Sequence, residues 1–267
     1  MNILFWNLCK HQNVKVIQEL LAENEVDVAL FCEYTETGVN NLVKSLGTNY
    51  FRIIGFGGCK KITMLARKPS ISSAIIRREQ ARFAIYSLRM GNDRYLLAGV
   101  HLEDQRSYSE ATRINTAHSI VDTVEEQEKA LKIDKSIIIG DFNANPYSTE
   151  MIAKVSFNSV IFRSMMDAES ISFEGKRKRR LYNPILQFLR DEDGKRGSYY
   201  YSSNDTPLYW NAYDQVLMNK QAMISFLNME YITSTSRISL MSRKGPNKTY
   251  SDHLPLLVRF ERGNNDE

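Results

Sequence analysis

The residues best equipped for chemistry lie in Gly140-Asp141-Phe142-Asn143-Ala144-Asn145-Pro146, directly after the apolar segment 136–139. Here a carboxylate and an amide stand where a buried strand breaks into a loop. Two residues apart on extended backbone, Asp141 and Asn143 point to one face and can converge on a phosphate or metal, while Phe142 points back into the core. An ordinary turn uses the same residue types. Other polar residues, however, occupy equivalent places. Asn7 follows Ile3-Leu4-Phe5-Trp6, Glu33 follows Val28-Ala29-Leu30-Phe31-Cys32, and His101 follows Leu96-Leu97-Ala98-Gly99-Val100. Asp252-His253 precedes Pro255-Leu256-Leu257-Val258, and Asp214 lies just inside the run 213–217. Singly, each reads equally as a cap, a solvated strand end, a packed histidine or a hydrogen-bond anchor. Their joint occurrence favours a site.

The set is chemically coherent. Glu33 can hold a hard divalent cation, and Mg²⁺ takes only one or two protein carboxylates and keeps waters for a substrate phosphate. Histidines and asparagines donate to phosphoryl oxygens, and a carboxylate beside water orients or deprotonates a nucleophile. An Asp beside a His raises its pKa and fixes its tautomer, as Asp214 and His253 would do if the fold joins them. These are the parts for phosphodiester hydrolysis.

Positioning them requires strands that end together. Apolar runs predict strands at 2–8, 26–32, 52–55, 61–66, 71–76, 83–89, 95–101, 136–140, 213–217 and 256–260. Helical periodicity marks 14–22, with Val14, Ile17, Leu20 and Leu21 on one face, and 109–131. A proline start marks 184–190 as helix-like. Such crowding of short strands predicts mixed α and β structure with sheets packed on each other. Without repeats or low-complexity linkers, residues 1–267 read as one domain, with a polar, substrate-facing excursion at about 173–205.

Composition fits a soluble globular protein with a substantial core: 267 residues, 43% hydrophobic and 25% charged. No run approaches the roughly 18 apolar residues of a membrane span, and MNILFWNL lacks a basic leader. Cys9, Cys32 and Cys59 suggest neither a disulfide framework nor a zinc knuckle. A cytoplasmic, reducing location is expected. A net charge of +4 and a pI near 8.8 permit a polyanionic partner. Lys176, Arg177, Lys178, Arg179 and Arg180 form a basic run, followed by Lys195-Arg196 and by the aromatics Tyr199, Tyr200, Tyr201, Tyr209 and Trp210. This mixture suits nucleic acid, with cations tracking phosphates and rings stacking on bases for about 1–3 kcal/mol each. A solvated loop and packed tyrosines are the alternative. Arg77, Arg78 and Arg82 are further phosphate-contact candidates.

FWNL with Asn7, VALFCE with Glu33, AGVHLE with His101, IIIGDFNANP with Asp141 and Asn143, YDQVL with Asp214, and SDHLPL with Asp252 and His253 carry a resemblance. In order and spacing, along nearly the whole chain, the sequence resembles the endonuclease/exonuclease/phosphatase (DNase-I-like) superfamily. The resemblance implies a four-layer α/β sandwich, two packed mixed β-sheets flanked by helices, with its site at one end and dependent on Mg²⁺ or Mn²⁺. It implies Glu33 as metal ligand, Asn7 arranging metal and phosphate, and Asp252 supporting the metal or its neighbour. His101 and Asn143 would contact the scissile phosphate, and Asp141 would orient and deprotonate water. His253, polarised by Asp214, would stabilise the transition state or act as acid or base; whether Asp141 or His253 is the general base stays open. Cys9 stands where many abasic-site endonucleases carry an acid, and the His101 motif is the histidine rather than the tyrosine type, so abasic-site repair is disfavoured. A nuclease with a nucleic-acid substrate is expected. The alternative is a phosphatase or phospholipase C-like hydrolase acting on inositol phosphates or lipid headgroups, for which no apolar membrane-binding stretch is visible. An inactivated binding module is disfavoured because every principal position holds a competent residue.

Overall fold

The computed structural model describes residues 1–189, 196–203, 207 and 209–262. In chain order the elements are β1 (Asn2–Asn7), α1 (Val14–Glu23), β2 (Val28–Cys32), α2 (Glu36–Leu46), β3 (Tyr50–Ile53), β4 (Ile62–Arg67), β5 (Ser73–Gln80), β6 (Phe83–Met90) and β7 (Asp93–His101). Next come α3 (Glu110–Leu131), β8 (Lys135–Asp141), α4 (Thr149–Ile152), β9 (Ser159–Val160), β10 (Ser170–Phe173), β11 (Lys176–Arg179) and β12 (Leu181–Tyr182). The last are β13 (Tyr199–Tyr200), β14 (Trp210–Asn211), β15 (Asp214–Met218), α5 (Lys220–Ile224), β16 (Phe226–Tyr231) and β17 (Leu256–Phe260).

A six-stranded sheet runs β16-β17-β1-β2-β4-β3, and a seven-stranded sheet runs β5-β6-β7-β8-β15-β12-β9. Both are mixed: β1 and β2 are parallel across the crossover helix α1, β7 and β8 are parallel across α3, and most other pairs are antiparallel. The period-2 pattern decides what each face meets. Along β8, Ile137 and Ile139 enter the core shared by the two sheets, whereas Ile138 faces Ala117, Ile120 and Val124 of α3. On the other side, Val16, Ile17, Leu20 and Leu21 of α1 and Leu42 of α2 join the core of the first sheet. The result is a four-layer α/β sandwich, helices flanking two packed mixed sheets.

Register brings the polar strand ends together. Asn7 pairs with Cys32, the residue before Glu33, while His101 and Asp214 both pair with Asp141 from its two sides. Glycine permits the close approach behind them: a Cβ on Gly99 would lie 2.7 Å from Leu30 Cδ2, and one on Gly140 only 2.0 Å from the Val100 carbonyl oxygen.

Several local expectations change. The strand expected at 71–76 lies later, at Ser73–Gln80, and the helix-like 184–190 contains only a 3₁₀ turn, Ile185–Gln187, with residue 190 outside the described residues. Helix α2 was not foreseen, although Val39, Leu42, Val43 and Leu46 follow helical spacing; Leu42, Val43 and Leu46 pack on the core of the first sheet, and Thr35 caps the helix by accepting from Gly38 N.

Candidate active site

Asp141 is the hub. Its carboxylate is 1% exposed at the end of β8; Oδ2 accepts from Asn7 Nδ2 at 3.0 Å, and Oδ1 accepts from Asn143 N at 2.8 Å. Two imidazoles face the same Oδ2, His101 Nε2 at 3.8 Å and His253 Nε2 at 3.9 Å, and His101 Nε2 stands 3.6 Å from Glu33 Oε1. These separations exceed a hydrogen bond and match the span across which one oxygen can bond to both groups. Asn7 is itself fixed, its Oδ1 accepting from Cys9 N at 3.0 Å and its carbonyl from Ser251 Oγ at 2.6 Å.

The two histidines are tuned in opposite directions. Burial lowers the His101 pKa and Lys61 adds to the effect, outweighing the attraction of Asp141 and Glu33. Its Nδ1 is buried without a protein partner. Burial would also lower His253, but the charges of Asp214 and then Asp141 overcome it and raise its pKa to about 10. His253 Nδ1 lies 2.7 Å from Asp214 Oδ2, and Asp214 is fully buried. Burial pushes Asp214 up as well, so the proton is held tightly between the two, on the imidazole. The pairing expected from YDQVL and SDHLPL is therefore formed.

Asn143 departs from the extended geometry assumed for it. Its φ is 48°, in the left-handed region tolerated by Asn, and Nδ2 donates to the Leu102 carbonyl at 3.1 Å. The turn, not strand alternation, brings it to the site. Glu33 likewise has φ 49°, turning its side chain out of the strand.

Asn7, Glu33, His101, Asp141, Asn143 and His253, though not Asp214, line a cavity of about 430 Å³ together with Lys61, Arg82, Arg106 and three tyrosines. Tyr199 stacks on Tyr213 at 5.4 Å between centroids and tilts against His253 at 4.9 Å, while Arg106 lies 5.4 Å from the centre of the Tyr201 ring. Asp252 is on the same wall; burial, and then the charge of Asp252, push the Cys9 thiol up to about 11, so Cys9 is a neutral thiol there. Tyr201, one of the aromatics expected to stack on bases, lines the cavity, whereas Lys61, Arg106 and Tyr213 were not foreseen. Only the start of a strand at Lys61 and the short distance of Arg106 from His101 hinted at them.

The expected substrate contacts divide. Arg82 and Tyr199 line the cavity; Arg77 donates to Ser87 Oγ and Arg78 pairs with Glu126 instead. Trp210 is half-buried, edge-on to Tyr200, and does not line the cavity. Lys176, Arg177, Lys178, Arg179 and Arg180 do not line the cavity. The first four form β11 in a hairpin with β10, and Arg179 pairs with Glu125 and Glu128 in the last third of α3. These two lie roughly 22–27 Å along α3 from Glu110, its first residue. Arg177 donates to Ser170 Oγ, and Arg180 to the carbonyls of Met165 and Ala168. Lys195 lies outside the described residues. The loop after β3 exposes two apolar side chains, Ile54 at 80% and Phe56 at 82%.

The donor set fits a hard cation. Asp141, Asp214 and His253 cluster, as do Cys32, His101 and Asp141, but burial keeps the Cys32 thiol protonated and Asp214 is engaged by His253. The carboxylate that faces the cavity is Glu33, 34% exposed, with Asp141 and Asp252 on the same walls. Oxygen donors of this kind suit Mg²⁺ or Mn²⁺ rather than a thiolate metal.

No family model matches the sequence, and no curated protein matches it. Solved structures do. An endonuclease/exonuclease/phosphatase family protein from Bacteroides thetaiotaomicron superposes with a TM-score of 0.63 at 14% identity, over 97% of this chain and 96% of that one. The fold is DNase-I-like. D. rerio TDP2 in complex with a single-strand DNA product gives 0.60 at 16% identity over 98% of both chains. A mannosyl-6-phosphatase from Bacteroides thetaiotaomicron VPI-5482 gives 0.62 at 15% identity, over 98% of this chain and 99% of that one. These identities establish the DNase-I-like architecture and leave the chemistry to the residues in the cavity. No helix among the described residues is long and apolar enough to cross a membrane.

Proposed function

We propose that this protein is a divalent-metal-dependent phosphoester hydrolase that cleaves phosphodiesters of nucleic acid. The observation that carries this reading is the convergence of Asn7, Glu33, His101, Asp141, Asn143, Asp252 and His253 in one cavity, with Asp214 behind His253. Mg²⁺ or Mn²⁺ held by Glu33, with Asn7 and Asp252 beside it, would neutralise charge on the phosphoryl group. Asp141, between the two imidazole Nε2 atoms, orients the attacking water and takes its proton as the new P–O bond forms. His253, cationic because Asp214 and Asp141 raise its pKa to about 10 against the effect of burial, stabilises the developing charge and gives its proton to the leaving oxygen as the old P–O bond breaks. His101, held neutral, and the amide of Asn143 contact the phosphoryl oxygens. Opposite tuning of two histidines in one site is how acid and acceptor roles are separated.

Nucleic acid is favoured by the wall of Tyr199, Tyr201 and Tyr213 beside Lys61, Arg82 and Arg106, since rings take bases and cations take phosphates. D. rerio TDP2, of the same fold, is seen with a single-strand DNA product. A second reading, a phosphatase of small phosphate esters, is favoured by the limited cavity of about 430 Å³ and by the distance of the basic hairpin from it. The deciding experiment is a parallel panel of single-stranded DNA, single-stranded RNA, duplex DNA, inositol phosphates, sugar phosphates and lipid headgroup phosphodiesters, with Mg²⁺ or Mn²⁺ and with EDTA. Metal-dependent cleavage of a nucleic acid supports the first reading; phosphate release from small esters with intact nucleic acid supports the second.

A further inference from the structure

Arg82 is held more tightly than a surface arginine. Its backbone carbonyl accepts from His101 N at 2.9 Å, so the residue sits in the turn between β5 and β6, tied to the end of β7. Its Nε lies 3.2 Å from Glu103 Oε1, and its guanidinium carbon lies 5.1 Å from the centre of the Tyr108 ring. One edge and one face of the guanidinium are thus occupied, while the side chain lines both the catalytic cavity and a groove of about 390 Å³ along α3. Glu103 is 6% exposed. Its Oε1 also accepts from Thr116 Oγ1 at 3.1 Å, and Oε2 is buried without a protein partner. A buried carboxylate with an unused oxygen is costly, and pairing with Arg82 and Thr116 offsets that cost only in part.

We propose that Glu103 is a positioning residue that fixes Arg82 as a phosphate-oxygen donor on the ridge between the cavity and the α3 groove. This rests on the phosphoester reading above. With Nε on Glu103, the terminal amino groups keep their donors for two oxygens of one phosphate, the geometry in which arginine outperforms lysine. Because the ridge faces the groove as well as the cavity, the phosphate held there is a neighbour of the scissile one. Glu103 leans on α3 through Thr116, and Arg113 ties the same loop to that helix by donating to the Tyr108 carbonyl at 2.9 Å. Ring, carboxylate and helix therefore move as one support for Arg82.

The test compares wild type with R82A, R82K, E103Q and the double variant R82A/E103Q. Two readouts are used: binding of inorganic phosphate by titration calorimetry, and steady-state kinetics on a single-stranded oligonucleotide with its salt dependence. R82A is expected to raise the phosphate Kd and the oligonucleotide KM by roughly tenfold or more, with a smaller change in kcat and a salt slope lower by about one phosphate. E103Q, which keeps shape but loses charge, is expected to do the same to a lesser degree, and the double variant to be no worse than R82A. R82K is expected to restore the salt slope without restoring KM. Multiplicative effects of R82A and E103Q, or an E103Q protein with wild-type KM and phosphate affinity, would overturn the assignment. If wild type binds phosphate through Arg82 but turns over no substrate, the hydrolase reading fails and the positioning role stands; if R82A leaves phosphate binding unchanged, the positioning role fails whatever the turnover.

Discussion

The division of labour between two histidines is set by what lies behind each. His253 backs onto Asp214 and faces Asp141, whereas His101 has a buried Nδ1 without a protein partner and feels Lys61. Asp214→Asn removes the largest charge that raises His253, so the imidazole should titrate well below its value of about 10 and be largely neutral by pH 8. NMR titration of the ring nitrogens checks this; an unshifted His253 would show that Asp141 alone holds the proton. Turnover should fall about 10²- to 10⁴-fold in the same variant. At this scale the sequence was informative where a polar residue ends an apolar strand, as for Asn7, Glu33, His101, Asp141 and His253, because period-2 burial fixes such ends. It was uninformative for Lys61, Arg106 and Tyr213, whose direction depends on loop paths that no periodicity encodes. For Asn143 the residue was found but its geometry was not, since a left-handed φ replaces the extended backbone.

At the scale of elements, the β10–β11 hairpin shows a charge run that is partly engaged by the fold. Arg179 is an ion-pair anchor against Glu125 and Glu128, so Arg179→Ala should lower stability by about 1–3 kcal/mol in urea unfolding. Neutralising Lys176, Arg177 and Lys178 should leave kcat, KM and the salt slope of cleavage unchanged; a flatter slope would return the hairpin to the substrate path. Strand ends elsewhere are pinned by charge as well. Asp27, before β2, accepts from Asn2 N at 2.9 Å and from Arg67 Nη2 at 2.6 Å, tying β1 to β4. Burial opposes its ionisation, but the bonds from Arg67, Asn2 and Ser70 win and depress its pKa. A depressed folded pKa means that the stabilisation is complete above the ordinary value of about 3.9 and is lost as pH falls through the lower, folded value. Asp27→Asn should therefore cost about 3–5 kcal/mol at pH 7, and the gap from wild type should narrow only in strong acid. A gap constant down to pH 2 would assign the loss to packing instead.

Across the whole molecule, the architecture was legible because both sheets are built from long apolar strands and the longest helix has clear spacing. What was not legible were elements stabilised by their neighbours: β16 and the two-residue strands β9, β12, β13 and β14. The sandwich gathers strand ends from both sheets at one pole, β1 and β2 from one, and β7, β8 and β15 from the other. Close approach at Gly99 lets that pole converge, so Gly99→Val should separate the sheets, lower the melting temperature by several degrees and reduce activity together. The central claim, that this pole hydrolyses phosphoesters through Asp141, is tested most directly by one comparison. The rate of single-stranded oligonucleotide cleavage in Mg²⁺ or Mn²⁺ is measured for wild type and for Asp141→Asn, an isosteric change that removes the proton acceptor. Metal-dependent cleavage by wild type, reduced at least 100-fold in a variant with an unchanged unfolding midpoint, is the predicted result. Equal rates for the two proteins would contradict the account.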